Sequence, residues 1–184
     1  MHVDEVFLQL DLKIASEFID MYEAEITKAV RTGRAIGHHW SRQARQTLRY
    51  AMFLRFYALF ENHLKTICAR FTTSRSLKLS VSDINGKGFL NQVNRFLKLV
   101  VSVKPLEERP LWQEMLAYSW IRNTIAHRNG EVIQGEQMPQ HVKRLLKTES
   151  GFQIGKNRTI VMDRQFCKRA MKQMATFLAE VGNG

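Results

Sequence analysis

The sequence predicts a mainly α-helical fold: an up-and-down bundle of about five helices with a short C-terminal β-hairpin. Three observations carry that expectation. Apolar residues recur every three or four positions through most of the chain. One of these segments is apolar on more than one side, which marks it as the central helix of a bundle. The only β-type pattern is short and late: Phe152-Gln153-Ile154 and Thr159-Ile160-Val161-Met162 flank the turn-forming Gly155-Lys156-Asn157-Arg158.

Residues 6–31 carry the first helical pattern, with Phe7, Leu10, Ile14, Phe18, Tyr22, Ile26 and Val30 in register. Gly33 and Gly37 break it, and Ser41 is the expected N-cap of a long second helix over 42–72. There Phe53, Phe56, Phe60, Leu64, Ile67 and Phe71 form one stripe, and Leu48, Met52 and Leu59 a second. The aromatic stripe reads as core, not as a surface for stacking bases. The stretch 73–88 is rich in Ser, Thr, Gly and Asp and reads as a loop. A third helix over 88–102 carries Phe89, Val93, Phe96, Leu97 and Val100. Pro105 and Pro110 bracket the approach to a fourth helix over 110–128, since Pro is tolerated in a first helical turn. Its expected core positions are Leu111, Met115, Leu116, Trp120 and Ile121, and Asn129-Gly130 supplies a left-handed stop. Residues 131–150 are polar and basic, with helical character over 139–147. Asp163 caps a last helix bearing Phe166, Ala170, Met174, Phe177 and Leu178.

At 184 residues and with 45% hydrophobic residues, the chain is long enough for a real core and is read as one domain, 1–184. Its 28 Lys and Arg against 17 Asp and Glu leave a net charge of +11, suited to a polyanion or an acidic protein. The surplus concentrates late. Between His141 and Lys172, nine cations (Lys143, Arg144, Lys147, Lys156, Arg158, Arg164, Lys168, Arg169, Lys172) face only Glu149 and Asp163. A field of that kind holds a phosphate backbone without reading its sequence. The start, Met-His-Val-Asp-Glu, lacks the basic opening of a secretory signal, and no apolar run approaches the roughly 20 residues that span a bilayer. A cytoplasmic location without membrane contact is expected. Cys68 and Cys167 read as buried thiols of a reducing compartment. No metal and no cofactor are expected. His38 and His39 are adjacent and point to different sides, and Gly86-Lys87-Gly88 lacks the spacing of a nucleotide-binding loop.

The segment Arg122-Asn123-Thr124-Ile125-Ala126-His127-Arg128-Asn129-Gly130 is the most informative stretch. It places a permanent cation and a group that titrates near neutral pH on the last turns of a helix. Asn123 and His127 are four apart and share a face; Arg122 lies roughly 140° round the helix from His127.

Arg, four residues, His, with Asn directly after the Arg, resembles the signature of the HEPN superfamily. Two further segments are similar to one branch of it and occur in the matching order. Tyr57-Ala58-Leu59-Phe60-Glu61-Asn62-His63-Leu64-Lys65 resembles its second helix, and Asp83-Ile84-Asn85-Gly86-Lys87-Gly88 followed by Arg95-Phe96-Leu97 resembles the loop before its middle helix. The resemblance spans roughly residues 45–130. It implies a small all-α domain and a metal-independent endoribonuclease of toxin–antitoxin or anti-phage defence type. It also implies pairing about a two-fold axis that joins two motifs in one cleft, with a cognate antitoxin protein as a possible further partner.

The residues suit that chemistry. RNA carries its own nucleophile, the 2′-OH, so cleavage needs proton transfer, a cation for the charged phosphate oxygens, and positioning. His127 can move the proton near pH 7. Arg122 can give a phosphate two parallel hydrogen bonds. Asn123 can orient the imidazole or bind the phosphate. Glu61, if its helix neighbours the fourth, can fix Arg122 or favour a charged His127. Arg128, Lys143, Arg144 and Lys168 are the candidate RNA contacts. Two rivals stand beside the enzyme: a non-catalytic module that binds RNA or a partner protein through its basic surface, and a purely structural dimerisation domain. In both, the motif is structural, with His127 favouring the helix C-terminus through the dipole.

Overall fold

The second helix organises the molecule. In the computed structural model, which describes residues 3–33 and 37–182, α1 (Val3–Arg31) and α2 (Gly37–Ser74) are followed by α3 (Phe89–Phe96), α4 (Trp112–Arg128), α5 (Gln140–Thr148), the strands β1 (Phe152–Ile154) and β2 (Ile160–Met162), and α6 (Arg164–Gly182). The fold is mainly α, with the expected hairpin pairing antiparallel in the register Phe152 with Met162. Among the described residues there are six α-helices where about five were expected; the addition is α5, expected only as a stretch with helical character.

α2 packs against α1, α3, α4 and α6. Its stripe of Phe53, Phe56, Phe60, Leu64 and Ile67 is buried as expected. Phe60 meets Phe177 of α6 with ring centroids 6.2 Å apart, and Phe53 meets Tyr118 of α4 edge to face at 6.0 Å. Such ring pairs add to the burial of apolar area. Cys68 and Cys167 are free thiols in this core, and burial pushes both thiols up to about 12, which keeps them protonated and inert.

Ser41 does not cap α2. The helix begins at Gly37, so Ser41 sits a turn inside it and is buried, whereas an N-cap residue must lie outside the helical φ/ψ region. α1 forms as expected but carries two apolar faces. Ala15 and Ile19 are buried against the body, while Leu10, Ile14, Phe18, Met21 and Tyr22 are exposed, with Phe18 and Tyr22 in ring contact at 4.5 Å. The side chains of Phe7, His38 and His39 lie outside the described residues.

The loop over 73–88 is shorter than expected, because α2 runs to Ser74 and a 3-10 turn occupies Val81–Asp83. The third helix changes pitch: its α part ends at Phe96, a π turn spans Leu97–Val101, and Ser102 ends it in the left-handed region at φ 57°. Pro105 and Pro110 bracket a 3-10 turn, Leu106–Glu108, not the first turn of α4. The next residue, Leu111, is left-handed at φ 63°, and α4 starts at Trp112. Met115 and Ile121 of α4 are buried as expected, whereas Leu111, Leu116 and Trp120 are only partly buried, and Trp112, Ala117, Tyr118 and Ile125 complete its core face. Arg109, buried beside this turn, donates to the carbonyls of Glu180 and Lys104, so it satisfies an otherwise orphaned acceptor at the end of α6.

The end of α4 is fixed tightly. Asn129 is left-handed at φ 49°, Gly130 at φ 83°, and the Gly130 N–H donates to the Thr124 carbonyl at 3.0 Å. A side chain at Gly130 would collide with the Tyr50 hydroxyl of α2. That hydroxyl donates to the Ile160 carbonyl, while the Ile160 N–H donates to the Gly130 carbonyl at 2.9 Å. The last turn of α4, the middle of α2 and β2 are thereby locked together. Asp163 caps α6 as expected, accepting from the Phe166 N–H at 2.6 Å. No helix among the described residues is long and apolar enough to cross a membrane.

Candidate active site

α2 and α4 lie side by side, and that contact brings Glu61 to Arg122. The Arg122 Nη2 stands 3.5 Å from Glu61 Oε2, and its Nη1 donates to Asn123 Oδ1 at 2.8 Å. The guanidinium lies over the Tyr57 ring, 6.0 Å from its centroid. Tyr57 precedes Glu61 by four residues, so one face of α2 presents both to Arg122. Burial pushes the Tyr57 hydroxyl well above the ordinary tyrosine range, so the ring stays neutral. Carboxylate, amide and ring thus hold the guanidinium from three sides. Its side chain is still 34% exposed, and a guanidinium has more N–H donors than these contacts use. The outward edge can meet a phosphate.

His127 lies one turn further along α4 and is exposed. Among the described residues its imidazole makes no hydrogen bond and no ion pair, and Glu61 is linked to Arg122 and not to it. Of the two roles open to Glu61, fixing Arg122 is the one this geometry serves. Asn123 likewise accepts from Arg122 and makes no hydrogen bond to the imidazole. Glu61, Arg122 and Asn123 therefore form one connected group, with His127 free beside it.

The other candidates lie apart. Arg128 pairs with Glu136 at 2.6 Å and so ties down the loop that follows α4. Lys143 and Arg144 are exposed on α5. Arg144 stands near Gln113 and Glu114, at the opposite end of α4. From Glu114 to His127 is about 20 Å by the helical rise. Lys168 is bound to Asp20 of α1 at 2.6 Å, and Arg164 shares the same carboxylate at 3.2 Å. Arg169 pairs with Glu149 at 2.8 Å, and Arg158 donates to the carbonyls of Val132 and Ile133. Much of the late cationic surplus is therefore spent on holding the fold. Among the described residues no group of three or more His, Cys, Asp or Glu is placed to hold a metal ion.

Tyr57 is the site residue that sequence reasoning left without a role. Its signal was present: an aromatic four residues before Glu61 must share a helical face with it. No family model, no curated protein and no solved structure matches the chain.

Proposed function

We propose that the protein is a metal-independent endoribonuclease of the HEPN kind, acting in the cytoplasm in toxin–antitoxin or anti-phage defence. The single observation that supports it best is the pairing of a restrained but outward-facing Arg122 with an unengaged, exposed His127 one turn away on α4. Arg122 grips the scissile phosphate and offsets the charge that grows on its oxygens. His127 takes the 2′-OH proton as general base. The 2′ oxygen forms a bond to phosphorus and the P–O5′ bond breaks. One product ends in a 2′,3′-cyclic phosphate, and the leaving 5′ oxygen takes up a proton.

That second proton calls for an acid, and one copy of the site offers a single imidazole. A homodimer supplies it: a two-fold axis brings two His127 side chains into one cleft, one as base and its mate as acid. The outer side of α4 suits such a contact, because the partly buried Leu116 and Trp120 lie at helical spacing with the exposed Asn123 and His127. In a toxin role, the further partner is a cognate antitoxin protein. A second reading, an RNA-binding module without catalysis, draws on Lys143 and Arg144, which are exposed and have no carboxylate partner among the described residues.

The test is chemical. RNA oligonucleotides carrying a single 2′-deoxy substitution at the cleaved position should resist the protein, while the parent oligonucleotide yields a cyclic or 3′-phosphate and a 5′-hydroxyl. Cleavage that ignores the 2′-deoxy substitution, or that leaves a 5′-phosphate, rules out this mechanism. Light scattering at tens of micromolar should give twice the chain mass; a monomer with full activity rules out the shared cleft.

A further inference from the structure

Beyond Arg122, the seam between α2 and α4 opens into a cleft of about 340 Å³. Its size falls in the usual range of small-molecule sites. Among the described residues no charged side chain lines it, although the chain carries a net charge of +11. Its apolar lining comes from Leu54 of α2 and from the buried Ile125 and the exposed Ala126 of α4, and its polar, uncharged lining includes Gln43, Thr47 and Asn129, all exposed. Side-chain amides and hydroxyls give and accept hydrogen bonds at one place, which is what the edge of a nucleobase demands and a phosphate does not.

Position supports the same ligand. Arg122 and Ala126 are four apart and share one face of α4, and Asn129 caps the end of that helix three residues on. By the helical rise, Ala126 lies about 6 Å and Asn129 about 10 Å beyond Arg122. Glu61, Leu54 and Thr47 run beside them on α2, and the Gly130–Tyr50 approach fixes the far end. A phosphate held at Arg122 therefore delivers a neighbouring base to the mouth of the cleft.

We propose that this cleft binds one unstacked nucleobase of a single-stranded RNA, adjoining the phosphate at Arg122, and that Gln43, Thr47 and Asn129 read its hydrogen-bonding edge. This rests on the RNA-directed reading of Arg122 given above, but not on cleavage. Single-stranded RNA is commonly recognised in this way, by splayed bases whose edges are hydrogen-bonded.

The experiment is fluorescence anisotropy with uncleavable 2′-O-methyl hexanucleotides: poly-A, poly-C, poly-G, poly-U and an abasic chain of equal charge. The expected result is about tenfold tighter binding of the preferred base over the abasic chain at equal salt. Two variants should bring that base down to the abasic level without changing the salt dependence. Asn129→Gly removes the amide but keeps the left-handed backbone, and Ala51→Leu fills the cleft from a helix position that tolerates Leu. Equal binding of the abasic and base-bearing chains by the native protein overturns the proposal, with no variant needed. So does a base preference that survives in both variants with native circular dichroism, and so does no binding of any oligonucleotide. Because nothing is cleaved, an RNA binder without nuclease activity can still pass. A nuclease indifferent to bases fails here while passing the 2′-deoxy test.

Discussion

The α1–α6 seam and the α2–α4 seam each set cations against a carboxylate, and they do so differently. At the first, Asp20 receives both Lys168 at 2.6 Å and Arg164 at 3.2 Å, and the charges are consumed in joining two helices. At the second, Glu61 stands 3.5 Å from Arg122, a distance that orients the guanidinium without closing around it, and His127 beyond it has no hydrogen-bond or ion-pair partner among the described residues. A cation's usefulness to a ligand therefore depends on what already holds it. By charge and type, Lys168 and Lys143 look alike in the sequence. In the structure one is bound to Asp20 and the other stands exposed on α5.

The largest expected effect falls at the loosely held seam. Arg122→Ala should lower the single-turnover cleavage rate about 10²–10³-fold, the usual loss when a donor to a developing oxyanion is removed. Arg122→Lys should recover only part of it, because an ammonium lacks the planar fork. Full recovery by Lys would mean that the Tyr57 ring and Asn123 contribute no useful orientation.

Next comes the lock that fixes the end of α4. Gly130→Ala must hold a left-handed backbone and push against the Tyr50 hydroxyl. It should cost about 2 kcal/mol or more, read as a fall in Tm of about 4–8 °C by calorimetry. An unchanged Tm would show that the α2–α4 junction is not held as described.

The smallest effects separate the two kinds of cation directly. Lys143→Gln should weaken RNA binding and reduce the slope of log affinity against log salt by about one, as expected for one lost phosphate contact. Lys168→Gln should leave that slope unchanged and cost about 0–1 kcal/mol of stability, the usual worth of a partly exposed ion pair. If the two variants shift the slope equally, the contrast between free and committed cations is wrong.

Much of this was legible in the sequence, for identifiable reasons. The aromatic stripe of α2, the Asn129-Gly130 stop, the hairpin turn and the Asp163 cap are local signals, and each lies where its residues predict. The proximity of α2 and α4 made Glu61 a sound candidate partner for Arg122. What could not be read was long-range. Asp20 and Lys168 are 148 residues apart, and no local pattern announces their pairing. In α1, periodicity forecast the helix but not its buried side, because Ala15 and Ile19 form one apolar face and Leu10, Ile14 and Phe18 another. Ser41 has the chemistry of a cap, but helical backbone precedes it.

Whether the α4 motif is a working catalytic site is tested most directly by cleavage of total RNA in excess EDTA by the native protein beside His127→Ala. The native protein should cut, and His127→Ala, folded by circular dichroism, should be slower by about 10²–10⁴-fold, the range for loss of general acid–base help. Equal rates in the two proteins, or cleavage that stops when EDTA is added, would contradict it.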